Sequence, residues 1–290
     1  MSAGCVGPPG CPAGREEDEM DARERKRWQE LAERVAREAA PLVVEAFARP
    51  RGGEEHKGRI DLVTETDRAV EERVRALLLS ESPFVVQGEE EGLSGEGDGV
   101  WRWVVDPIDG TTNFAHRVPH LATSIGLWGP SGAVLGVILN PVTGELFSTD
   151  GEEVTLGGRR LPPLGSRPLS ESLLATGFPY DRQTNADNNV AEADALLMRC
   201  RGIRRFGAAA LDLAWLAAGR IDGFWEPGLQ PWDVVAGLSM VRAVGGVGVT
   251  YGGEPWSPGA RTLVAGHPAM VEALRGEIAG ARRAAGHGAG

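Results

Sequence analysis

Cysteine is scarce in this chain of 290 residues: Cys5, Cys11 and Cys200 are an odd number, too scattered for a disulfide framework or a thiolate zinc site. Such sparing use fits a reducing cytoplasm. Long apolar runs are missing as well. None approaches the ~18 residues that a membrane span needs, and the first 20 residues lack the apolar centre of a signal peptide. Positive charge is in deficit, with 30 Lys and Arg against 41 Asp and Glu and a formal net charge of -11. This balance, without a long basic stripe, argues against direct nucleic-acid binding by broad phosphate neutralisation, and Arg159-Arg160 and Arg204-Arg205 read as solvated surface. What the chain has is apolar content, 42% of its residues, enough for a sizeable core in one large domain or two tightly joined halves.

The opening residues 1–20 are rich in Gly and Pro, then acidic, and read as a disordered tail. Residues 21–156 form a first, α+β half. From Asp21 to Ala48 apolar residues recur at helical spacing (Trp28, Leu31, Val35, Ala39, Leu42), with a kink expected at Pro41. A loop, RGGEEHKGR, then precedes DLVTETD, which leads into a second helix ended by Pro83. The runs FVVQ, WRWVVD, LATSIGLW and AVLGVILN, with GELFST beyond a turn, read as strands of a largely antiparallel sheet. In residues 157–280 short strands (SLLATG, IRRF, IDGFWE, GVGVTY, TLVAG) alternate with helical patterns near 188–200, 207–219, 232–244 and 268–279, an α/β second half. Residues 281–290 read as a flexible tail.

Residues 106–114, DPIDGTTNF, set two acids beside each other at the end of an apolar strand. If the Pro-Ile-Asp-Gly turn swings Asp109 back beside Asp106, two carboxylates share one small volume, which makes sense mainly with a cation between them. Oxygen ligands favour Mg²⁺, with Ca²⁺ and Mn²⁺ as competitors. The alternative is a plain turn at Asp109-Gly110 with Asp106 as a helix cap. Glu89 in GEEEG, Asp67 near a helix start and Asp233 in PWDVVAG bring further acids to element boundaries, where each alone could be dipole compensation or a cap. If Gly110 and Thr111 open a short helix, their backbone N–H groups offer a phosphate cradle. Metals would then neutralise the phosphate, activate water and stabilise the leaving oxygen, with Thr111 orienting that water and Asp67 as its acceptor or base. His116 and His120 read as packing or surface residues, and Trp215, Trp225 and Trp232 as core.

Together, DLVTETD, GEEEG, WVVDPIDGTTNF, GAAALDLAWLAAGRIDGFWE and PWDVVAG followed by Gly245-Gly246 resemble the inositol monophosphatase family over residues 25 to 275, in family order. The resemblance implies a layered α-β-α-β-α sandwich, a homodimer, and a Mg²⁺-dependent, lithium-sensitive phosphatase. It implies that Glu89, Asp106 and the Ile108 carbonyl bind one Mg²⁺, that Asp106, Asp109 and Asp233 bind a second, and that Glu89 with water binds a weaker third. Gly110 and Thr111 would hold phosphate through backbone amides, Thr111 and Asp67 would position the nucleophilic water, and Glu226 would contact substrate hydroxyls. Ala208 stands where many members carry Ser or Thr, so one sugar-facing hydroxyl is absent. Either His56 or Lys57 stands near the place of a family lysine.

The function expected on this resemblance is hydrolysis of a small-molecule phosphate monoester, with myo-inositol 1-phosphate first. Fructose 1,6-bisphosphate, histidinol phosphate and 3′-phosphoadenosine 5′-phosphate are alternatives on the same metal site. A reading of another class is a protein-binding factor in transcription or RNA processing.

Overall fold

The computed structural model describes residues 20–49, 56–97 and 99–288, with backbone alone for 56–64. The tail expected at the N-terminus, apart from Met20, and the side chains of His56 and Lys57 lie outside the described residues. Helix α1 (Ala22–Ala48) starts on a capping box: the Asp21 carboxylate accepts the Glu24 N–H at 2.8 Å, and the Glu24 side chain accepts the Asp21 N–H. Its apolar face, Trp28, Leu31, Val35, Ala39 and Val43, is buried, and the helix runs on through Pro41. Helix α2 (His56–Glu81) begins within the segment expected to be a loop. No proline lies between Pro50 and Pro83 to stop a helix there. Asp67 is therefore inside a helix rather than near its start.

Among the described residues, eight strands form one sheet in the order β2-β1-β3-β4-β5-β6-β7-β8. They are β1 (Val85–Gly88), β2 (Gly92–Ser94), β3 (Arg102–Asp109), β4 (Ala122–Gly129), β5 (Gly132–Leu139), β6 (Leu146–Thr149), β7 (Val154–Leu156) and β8 (Arg159–Arg160). All its pairings are antiparallel except β1 with β3. The expected division at 156/157 falls between β7 and β8, which pair across it, because the hairpin closes on Gly157-Gly158. A second sheet of five strands runs β10-β9-β11-β13-β12. These are β9 (Leu173–Thr176), β10 (Gly202–Arg204), β11 (Gly223–Pro227), β12 (Val247–Val249) and β13 (Thr262–Gly266).

Five layers result. Helices α1 and α2 cover the outer face of the first sheet. Between the sheets lie α5 (Ala209–Ala217) and α6 (Pro231–Ala243), apolar nearly all round and buried against both. Helices α4 (Val190–Leu197) and α7 (Pro268–Ala285) cover the far face of the second sheet. The two halves thus share one central helical layer, and the fold is the α+β sandwich expected. Helix α6 comes close to the first sheet at Gly136 and Gly126, where an added Cβ would come within 2.6 Å and 2.7 Å of the Ala236 backbone. Only glycine lets α6 lie this near the sheet, and α6 carries Asp233. No helix of the described residues is long and apolar enough to cross a membrane.

The C-terminal end departs from expectation. Helix α7 continues to Ala285, so residues 281–285 are helix and not tail. Arg282 is the reason: its guanidinium is buried and donates to Asp187 at 2.7 and 2.8 Å and to Glu192 at 2.9 Å.

Candidate active site

Strand β1 pairs with β3 only as far as Gly88 opposite Val105, so beyond that point one edge of β3 is open. Here the sequence places Asp106-Pro107-Ile108-Asp109. A proline, which donates no ladder hydrogen bond, is tolerated at such an edge or bulge. The chain does not turn after Asp106, as the sequence suggested. It stays extended to Asp109, with a bulge against β4 between Asp106 and Asp109 and with Ile108 buried in it. The bulge does what the turn was expected to do. Carboxylate oxygens of Asp106, Asp109 and, from the first turn of α6, Asp233 all lie within 4.8 Å of one another.

Gly110 then takes a left-handed conformation (φ 93°) and caps α3 (Thr111–His116). A Cβ there would also crowd Ala208 Cβ, the His120 carbonyl and the Gly207 carbonyl at 3.1 to 3.2 Å. Asn113 pins this helix in place by donating to the carbonyls of His120 at 2.6 Å and Phe206 at 2.7 Å. Asp109 has a second task that the sequence did not disclose. Its oxygens accept the N–H groups of Ala209, Ala210 and Leu211 at 3.1, 2.8 and 3.3 Å, so it caps α5 from another part of the chain. The Asp233 carboxylate caps its own helix by accepting the Gln230 N–H at 2.7 Å.

Two more acids approach from the first sheet's side. Asp67 is buried in α2, and its Oδ1 has no hydrogen-bond partner; Oδ1 of Asp106 is orphaned in the same way. Glu89 sits in the turn between β1 and β2, its carboxyl against that of Asp106. That turn is clamped by buried Glu71, which accepts the N–H of Glu90 at 2.8 Å and of Glu91 at 3.0 Å and pairs with Arg75 at 2.6 Å. Burial raises the carboxyls of Asp106 and Asp109 well above the ordinary range, and their acidic neighbours raise them further. The N–H groups of Leu211 and Ala210 oppose the shift at Asp109. Burial also raises Glu89 and Asp233, the latter against the pull of the Gln230 N–H. An all-oxygen acid cluster in which Asp67, Asp106 and Asp109 are buried and two oxygens are orphaned is short of positive charge, and the donor set fits a hard divalent cation.

Asp67 gives the metal-free protein a pH dependence. Burial, with Glu89, Glu90 and Glu71 adding to it, pushes its carboxyl from an ordinary 3.8 up to about 8. Across that window the native state holds a proton that the unfolded chain has released, so this group's contribution to stability falls as pH rises. Urea midpoints measured in chelator should fall between about pH 5 and pH 8, and Asp67→Asn should flatten the fall.

Asp109 and Asp233 open into a cleft of ≈ 270 Å³ whose lining also includes Gly110, Ala208 and Glu226. Glu226, at the end of β11, lies on the cleft wall rather than on open surface, and burial raises its carboxyl well above the ordinary range. Ala208 is buried at the N-terminus of α5. Thr111 is the first residue of α3, with the Tyr180 side chain beside it. Tyr180 also lines the cleft and was not picked out in the sequence, where FPY carries no special spacing. Asp212 escaped notice too. It holds His120 at 2.8 Å, with the imidazole stacked on Phe206 and edge-on to Trp215, so His120 is a packing residue behind the Gly207-Ala208 segment.

The inositol monophosphatase family profile matches residues 24–286. The chain is 39% identical over 248 residues to Nus factor SuhB of Escherichia coli strain K12, covering 84% of this chain and 92% of that protein. It is 40% identical over 223 residues to the inositol-1-monophosphatase of Rhizobium meliloti, covering 76% and 83%. Among solved structures, the inositol monophosphatase of Anabaena superposes with a TM-score of 0.77 at 35% identity, covering 87% of this chain and 95% of that one. The fold, the motif order and these likenesses agree, and the chain belongs to the inositol monophosphatase family.

Proposed function

We propose that the protein hydrolyses a phosphate monoester in a Mg²⁺-dependent reaction, with myo-inositol 1-phosphate as first substrate. The observation that carries this reading is the convergence of Asp106, Asp109 and Asp233, the last two of which line a cleft together with Glu226. Glu89, Asp106, Asp109, Asp233 and the Ile108 carbonyl would hold the ions. Magnesium bound there supplies positive charge against the phosphate and its leaving oxygen. The chain's own groups do the rest. Backbone N–H groups of Gly110 and Thr111 receive the phosphate oxygens, as an N-terminal helical turn readily does. Thr111 and Asp67 orient the attacking water, with Asp67 as the acceptor of its proton. Glu226 accepts hydrogen bonds from ring hydroxyls of the alcohol. Family resemblance also supports a homodimer and a cytoplasmic setting, to which the sparse cysteines add weight.

Phosphate release should be measured on inositol 1-phosphate, fructose 1,6-bisphosphate, histidinol phosphate and 3′-phosphoadenosine 5′-phosphate, with and without Mg²⁺. We expect the first to lead, strict metal dependence, and inhibition by sub-molar Li⁺ that persists at saturating substrate. Release that continues in chelator would sink the metal reading, and a different leading ester would replace the substrate. A second reading, a protein-binding role in transcription or RNA processing, rests on the likeness to Nus factor SuhB. It would be favoured by no turnover of any ester.

A further inference from the structure

On the reading of Glu226 as the hydroxyl acceptor, we propose that Gly177 is a specificity-determining residue: by having no side chain, it seats the Glu226 carboxylate on the cleft wall. Strands β9 and β11 run parallel with Thr176 opposite Trp225, so Gly177 and Glu226 are the next neighbours across the pair. Gly177 is buried, and a Cβ built on it would fall on Oε1, Cδ and Oε2 of Glu226, far inside van der Waals contact. The carboxylate lies over the glycine Cα. Any side chain at 177 must displace it.

The backbones of both residues are held from behind. Thr176 Oγ1 donates to the Trp225 carbonyl at 2.6 Å. Asn189 donates to Thr176 Oγ1 at 2.8 Å and to the Gly177 carbonyl at 2.6 Å, and it accepts the Trp225 indole N–H at 2.8 Å. All three side chains are buried, and Asn189 adopts a left-handed φ of 69° to make these bonds. A network this fully satisfied is rigid, so it cannot yield to an added methyl. The end of the Glu226 side chain can, and it is the only group that the methyl meets among its three nearest atoms. Gly177 is not in the left-handed region, so alanine is compatible with its backbone.

The test compares kcat/KM for myo-inositol 1-phosphate with that for glycerol 2-phosphate, at fixed Mg²⁺, in wild type, Glu226→Gln, Gly177→Ala and the double variant. Losing the charge-assisted bonds should lower the ratio on the order of 10- to 100-fold in Glu226→Gln. Gly177→Ala should lower it by about 10-fold or more, and the double variant no further than the larger single effect, because both changes remove one interaction. If Glu226→Gln lowers the ratio and Gly177→Ala leaves it unmoved, Gly177 is not the determinant. If Glu226→Gln itself leaves the ratio unmoved, the reading of Glu226 fails, and the role given to Gly177 goes with it. Should Gly177→Ala fail to fold, Gly177→Ala/Glu226→Ala, which empties the contested space, must recover a wild-type melting transition; a double variant that also fails to fold overturns the proposal.

Discussion

Asp106→Asn and Asp109→Asn should both abolish turnover, yet move the stability of the metal-free protein in opposite directions. Each removes a charged group from the cluster that would hold the metal, and a loss of about 10³-fold or more in kcat/KM is in scale with the several kcal/mol that metal ions contribute to such barriers. Stability separates them. Asp106 is buried beside Glu89, Asp109, Asp233 and Asp67, and its Oδ1 has no partner. An amide there relieves repulsion and should stabilise the chelated protein by about 1 kcal/mol or more. Asp109 instead caps α5 through three backbone N–H groups. An amide keeps one acceptor and turns an NH₂ towards the helix end, which should cost about 1–2 kcal/mol. Urea unfolding of both variants in chelator checks this, and a shift of the same sign in both would show that Asp109 is not acting as a cap.

Arg282→Met should be strongly destabilising although it lies outside the cleft. Its side chain is 5% exposed and Glu192 beside it 2%, so removing the guanidinium leaves a buried carboxylate with no counter-charge. Breaking such a pair costs about 3–5 kcal/mol, against about 0–1 kcal/mol for an exposed one. Truncation before Arg282 should do the same. Arg282→Met/Glu192→Gln should recover a good part of the loss, since the stranded charge is then gone. A urea midpoint in Arg282→Met within error of wild type would mean that the last turns of α7 contribute nothing to the fold.

The periodic elements and the identity of the acids were legible along the chain alone. Apolar spacing places α1 and the strands of the first sheet, since a buried face must repeat at the period of its backbone. The motif residues Asp106, Asp109, Gly110 and Thr111 are adjacent in the chain, so their neighbourhood in space is nearly forced. Pro107 forbids a regular central strand, but a local rule could not say whether the chain would turn or bulge. The open edge beyond Gly88 decided that, and it depends on where another strand ends. Long-range juxtaposition had no local signal, and the meeting of Asp233 with Asp109 was expected only through the family resemblance; in space it depends on Gly126 and Gly136, which let α6 lie close on the sheet. Asp109 caps a helix 100 residues away, and Arg282 turns an apparent tail into helix by finding Asp187 and Glu192. Such pairings carry no periodic signal along the chain. They are set by desolvation, which requires a buried polar group to find its partner wherever the fold has put one.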